Sequence, residues 1–204
     1  MNFLKKLLGM AKTKKSPSDE SYIVVTLNDK LMPIDRGEIY GDPLEEFLQA
    51  EGIGELTGGG TMQHASGEIE YCDLEICINT DSLNDRQIKM IIDKLESNGA
   101  PKGSVLTIEK TGEKWPFGQK EGLALYLDGE NLEDDVYKNC DSNFVVEEIK
   151  RLISDKSDLV RYWQGEKETG LYFYGDSFDV MYKSIAPFIN EYPLCKGARI
   201  VKIA

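Results

Sequence analysis

Apolar and polar positions alternate with a period of two through residues 68–79, Glu-Ile-Glu-Tyr-Cys-Asp-Leu-Glu-Ile-Cys-Ile-Asn. In an extended chain successive side chains point to opposite faces, which puts Cys72, Leu74, Ile76 and Ile78 on one side and Tyr71, Asp73, Glu75 and Cys77 on the other. One face asks for a core, and the other presents two carboxylates. A β-branched run over 22–27 predicts a strand before it. At Gly41-Asp42-Pro43-Leu44-Glu45 the signals of a helix start coincide, with Asp42 as N-cap and Pro43 in the first turn. Leu44, Phe47 and Leu48 form its stripe, and Gly52 ends it. The glycines of 52–61 lack the terminal lysine and following helix of a phosphate-binding loop. They predict instead a bulged or closely approached strand over 55–63, turning at 65–67 beside an exposed His64. Downstream, residues 81–85 open a helix with Ile88, Ile91, Ile92 and Leu95 facing inward, and a strand follows over 104–109.

Residues 110–122 are rich in breakers and read as a linker. The pattern then restarts. Leu123, Leu125 and Leu127 alternate on a strand. Asp141 or Ser142 caps a helix bearing Val145, Ile149, Leu152 and Ile153, strands are expected over 158–164 and 168–174, and Asp176 caps a helix that contains Pro187. A last strand over 198–203 follows a Lys-Gly turn that echoes the one at Lys102-Gly103. The same β-α-β-β-α-β order thus occurs twice. It predicts an α+β chain of two tandem ferredoxin-like units, 21–109 and 123–204, with helices on one face of each antiparallel sheet.

Residues 1–20 stand apart. Phe3, Leu4, Leu7, Leu8 and Ala11 repeat at helical spacing, with Lys5, Lys6, Lys12 and Lys15 largely off the stripe, so a short basic amphipathic helix and a linker are expected. An anionic membrane surface, an acidic partner and the body of the chain are its three candidate docking surfaces. The 204 residues carry a net charge of −12, unevenly spread. Residues 1–16 hold five lysines and no acid, leaving 19 basic against 36 acidic residues, or −17, on the rest. Such a field repels nucleic acid and speeds encounter with a basic protein.

The chemistry expected of this chain is sparse. Cys72, Cys77, Cys140 and Cys195 show no metal-binding spacing, and with the single His64 they predict no structural metal site and no cofactor. No secretory signal or apolar run of membrane-spanning length is present, so a cytoplasmic location is expected. Asp73 and Glu75 sit about 7 Å apart on one strand face. With no nucleophile or base beside them, they suit a partner-facing role better than catalysis. Tyr126, Tyr172 and Tyr174 are predicted on the helix-free face of the second sheet, as an interface either between the two units or with a protein partner. Together with Tyr71 these residues predict a contact surface for a basic partner. In size, acidity and lack of a catalytic motif the chain resembles the immunity proteins of toxin–immunity pairs, which implies a non-enzymatic neutralising role. A regulatory module holding a small ligand between the two units is the alternative.

Overall fold

The computed structural model describes residues 21–157 and 159–204; the helix expected over Phe3, Leu4, Leu7 and Leu8 lies outside them. The chain is α+β, with one antiparallel sheet of five strands and one of four. In the first half, β1 (Ser21–Leu27) leads to α1 (Pro33–Arg36) and α2 (Asp42–Glu51), and the hairpin β2 (Gly54–Gln63) and β3 (Ile69–Ile78) follows. Next come α3 (Asp85–Ser97), β4 (Ser104–Ile108) and β5 (Glu113–Phe117). Their sheet has the order β2-β3-β1-β4-β5. The alternation of β3 is realised as expected: Cys72, Leu74, Ile76 and Ile78 are buried with Ile23, Val25 and Leu27 of β1. Leu44 and Leu48 of α2 and Ile88, Ile91 and Leu95 of α3 cover that same face. Asn84 caps α3, accepting from the Gln87 amide while the Gln87 side chain accepts from its own.

Three expectations are corrected here. The first helix does not begin at an Asp42 cap. Helical backbone starts at Pro33, passes through a π-helical turn over Gly37–Gly41, and continues into α2 with no side-chain cap. The π turn brings Tyr40 inward, where it is completely buried. The linker expected over 110–122 contains β5, paired in register with β4 from Ser104↔Phe117 to Ile108↔Glu113. Trp115 and Phe117 pack on the core from this edge strand, a position that tolerates Pro116 because its outer side needs no amide. Finally, the helix expected behind an Asp176 cap is capped by Ser177, which accepts from the Val180 amide.

The second half comprises β6 (Glu121–Asp128), α4 (Asp134–Asn139), α5 (Ser142–Ile153), β7 (Arg161–Gln164), β8 (Glu168–Gly175), α6 (Phe178–Glu191) and β9 (Arg199–Lys202). The short α4 has no counterpart in the sequence reading. Its sheet order is β7-β8-β6-β9. Leu123, Leu125, Leu127, Leu171 and Phe173 meet Val145, Val146 and Ile149 of α5 and Met181, Ile185 and Ile189 of α6. Among the described residues, no helix is long and apolar enough to cross a membrane.

Candidate functional site

The two surfaces expected from the sequence have different fates. On the helix-free face of the first sheet, β3 presents Tyr71, Asp73 and Glu75, paired on one side with Met62, Gly60 and Gly58 of β2. On the other side, Asp73 and Glu75 pair with Thr26 and Val24 of β1. The structure therefore brings these three residues together. The glycines opposite have no side chains to cover the carboxylates, and the bulge at Thr57 turns its hydroxyl to donate to Glu75 Oε1 at 2.9 Å. Asp73 Oδ1 is shielded from solvent and has no hydrogen-bond partner. Among the described residues no hydrophobic cluster is built on this face. His64, at the hairpin turn, is half exposed and lies 4.0 Å from Glu70.

Tyr126, Tyr172 and Tyr174 do share the helix-free face of the second sheet, but that face is closed by the first half of the chain. Ala124, Tyr126 and Tyr172 are buried in a cluster completed by Trp163, Tyr174, Val201 and Ile203. The hydroxyls of Tyr126 and Tyr172 both donate to Glu68 Oε1 at 2.8 Å, and the Tyr174 hydroxyl accepts from the Lys30 amide at 3.2 Å. Trp163 donates its indole N–H to Ser66 at 3.1 Å. The surfaces received are thus the 28–30 loop and the β2–β3 turn, not the open face of the first sheet. Burial of Tyr126 and Tyr172, and the packing of half-buried Tyr174 against the 28–30 loop, take these tyrosines up within the chain in place of a partner.

Residues that the sequence did not flag organise this junction. Asp29 is fully buried and takes two hydrogen bonds from the Arg161 guanidinium, at 2.8 and 3.1 Å, and one from Tyr40 at 3.0 Å. Arg161 also stacks over the Tyr174 ring at 4.9 Å. Lys30 donates to the Ile69 carbonyl and lies 3.7 Å from Glu68. The partners are separated by 132 residues at Asp29–Arg161, and no local pattern signals such a pairing.

Electrostatics define what these groups can do. Burial, reinforced by Asp29, pushes the Tyr174 and Tyr40 hydroxyls well above their ordinary range. Burial and the bond to Glu68 raise Tyr172 strongly and Tyr126 to about 12. Burial lowers Lys30 against the opposing pull of Glu68 and Glu70. Burial also opposes the charge on Arg161, yet Asp29 holds it above its usual value. Burial raises the thiols of Cys72 and Cys195, the latter to about 12, so neither is an activated nucleophile. The tyrosine shifts favour protonated hydroxyls and the Arg161 shift a paired charge, which suits these groups to holding the junction together. Among the described residues no group of three or more His, Cys, Asp or Glu could hold a metal ion.

Beside the junction runs a groove of about 780 Å³, lined in part by Lys120, Ser154, Lys156, Arg161, Tyr174 and Ser177. Asp73 and Glu75 do not reach it.

No family model and no curated protein matches the chain. A crystal structure of an unknown protein from Galdieria sulphuraria is similar over 90% of this chain and 96% of that one, with 11% sequence identity and a TM-score of 0.28.

Proposed function

We propose that the chain is a non-enzymatic interaction module, built from two ferredoxin-like units, that engages a basic protein through the open face of its first sheet. The strand orders β2-β3-β1-β4 and β7-β8-β6-β9, each with helices on one side, support the architectural part; β5 is an added edge. The observation that carries the functional part is the placement of Tyr71, Asp73 and Glu75 together opposite side-chain-free Gly58 and Gly60. Asp73 and Glu75 place two carboxylates side by side on this face, and a lysine or arginine from outside would pair with them. The net charge of −12 would steer such a partner in. The working role is immunity-type neutralisation of a basic toxin in the cytoplasm.

The test uses immobilised full-length protein and native lysate at low salt. Wild type is expected to retain a basic protein that is released by about 0.5 M salt, where the screening length falls well below 10 Å. The Asp73→Asn/Glu75→Gln variant is expected not to retain it. Equal retention by both proteins contradicts the reading.

The groove beside the junction favours a second reading, a regulatory module for a small anionic ligand held by Lys156 and the unshared N–H of Arg161, with Lys120 already paired to Asp176 on the groove wall. Under this reading a panel of carboxylates and phosphate esters raises the melting temperature of wild type and not of Lys156→Ala. A panel that shifts neither protein argues against it.

A further inference from the structure

The two sheets share the orders β2-β3-β1-β4 and β7-β8-β6-β9, but the first adds β5 outside β4, whereas among the described residues the second ends at β9. On the first sheet, Trp115 and Phe117 of β5 lie opposite Leu106 and Ser104 and close the helix-covered core from that edge. Leu106 and Ser104 are fully buried beside them. Ile200 stands in the second sheet where Leu106 stands in the first. It pairs with Leu125 as Leu106 pairs with Val25, and those two pair in turn with Leu171 and Leu74. Yet Ile200, and Ala198 at the place of Ser104, are only partly buried. Between β9 and α6 runs a groove of about 690 Å³, lined in part by Phe178, Tyr182, Ile189, Cys195, Ala198 and Ile200. The rings of Phe178 and Tyr182 stack at 6.1 Å along it, and Tyr182 is 44% exposed.

The backbone of β9 is open on the same side. The bond from the Ile203 amide to the Gly122 carbonyl sets the alternation of the β6–β9 pair. Arg199 and Val201 therefore bond inward to β6, while Ile200 and Lys202 turn their amides and carbonyls outward. Charged side chains often guard such an edge. Here they are drawn off it: Arg199 lies over Tyr126 and bonds to Glu168, and Lys202 pairs with Glu121. On the edge strand β2, by contrast, the Gly60 carbonyl and the Leu56 amide are taken by Arg36 and Glu45.

We propose that the β9 edge receives an extended segment of another protein as a fifth strand, antiparallel to β9 and carrying an acid and two aromatic residues at alternate positions. The chain's own β5 shows the chemistry that suits this place. Its Glu113, Trp115 and Phe117 share one face, opposite Ile108, Leu106 and Ser104. In the same register on β9, the two rings fall opposite Ile200 and Ala198, at the groove, and the acid falls opposite Lys202. Backbone bonds to Ile200 hold such a strand, and the groove selects its side chains. The residue between the rings faces Val201, whose amide and carbonyl are spent on β6, so proline is allowed there as at Pro116. This surface belongs to the second sheet and takes an apolar, acidic segment, so it stands apart from the open-face contact with a basic protein.

The test titrates a synthetic peptide, Thr-Gly-Glu-Lys-Trp-Pro-Phe-Gly-Gln, the sequence of residues 111–119, into the full chain by calorimetry. One-to-one saturable binding is expected, and Tyr182→Ala, which removes an exposed wall of the groove, should weaken it about tenfold. Methylating the backbone amide of the peptide's tryptophan removes a donor to Ile200 and should also weaken binding about tenfold. Methylating that of its lysine, which faces away from β9, should leave binding unchanged. Asp73→Asn/Glu75→Gln should bind the peptide as wild type does, so failure here and failure of the open-face reading are separable. Absence of binding, equal binding by Tyr182→Ala, or tolerance of both methylations overturns the proposal. So does sedimentation of wild type as a dimer that the peptide dissociates, which gives the edge to a second copy.

Discussion

Asp29 shows how much of this molecule rests on single residues. A fully buried carboxylate is tolerable only because Arg161 and Tyr40 occupy its oxygens. Removing the cation leaves a bare charge, and such changes cost about 3–5 kcal/mol, whereas replacing both partners by neutral groups is far milder. Arg161→Met is therefore expected to lower the unfolding free energy by about that amount in urea titration, and Asp29→Asn/Arg161→Met to recover most of it. Two single-variant losses that simply add would show that the ion pair is not the unit. The tyrosines predict the alkaline limit. Tyr40, Tyr126, Tyr172 and Tyr174 all titrate higher folded than unfolded. Their contribution is thus complete below about pH 10, the unfolded value, and is lost as pH rises toward 12. Ultraviolet titration should find these four ionising only together with unfolding; prompt ionisation of all the tyrosines in the folded state would contradict their burial.

At the level of elements, the glycine run of β2 separates positions that need glycine from positions that only happen to have it. An added Cβ at Gly54 would meet the Cys77 carbonyl oxygen at 2.3 Å, and one at Gly59 would meet that of Asp73 at 2.5 Å. At Gly58 and Gly60 the nearest atoms are 3.9 and 4.0 Å away. Gly54→Ala and Gly59→Ala should each cost about 1–3 kcal/mol through forced backbone shifts, with Gly58→Ala and Gly60→Ala nearly neutral in the same urea series. Four equal effects would refute the distinction. The close approach was legible in the sequence because glycines inside a strand have few other uses, and β3 was legible because its period of two is unbroken. The 33–41 helix was not, since Gly37 and Gly41 read as breakers and the extra residue of the π turn shifts Tyr40 off any 3.6-residue stripe. β5 was hidden by Pro116 and by the breakers around it. Only its pairing partner β4, contributed from elsewhere, makes it a strand.

For the whole molecule, the question is whether the two halves unfold as one. The open-face carboxylates and the tyrosine side of the junction could be read from local pattern, but the polar contacts that close it could not, because Glu68, Asp29 and Arg161 meet only after both sheets exist. Glu68 is the group through which cooperation should pass, since its Oε1 accepts from Tyr126 and Tyr172 and it balances Lys30. Glu68→Ala leaves two tyrosine hydroxyls without their acceptor and Lys30, still bonded to the Ile69 carbonyl, without its counter-charge, while touching neither helix-covered core, so it should loosen the halves without unfolding either. The two tryptophans can report this separately: Trp115 packs on the first core, and Trp163 sits at the junction, bonded to Ser66. In single-tryptophan variants, Trp115→Phe and Trp163→Phe, the two fluorescence transitions in urea should coincide when Glu68 is present. With Glu68→Ala the Trp163 transition should move to lower urea, ahead of Trp115, and Glu68→Gln, which keeps an acceptor oxygen, should restore much of the coincidence. If the transitions stay together in Glu68→Ala, cooperation runs instead through the covalent and backbone connection at Pro101 and Lys120, where the two halves form a parallel bridge.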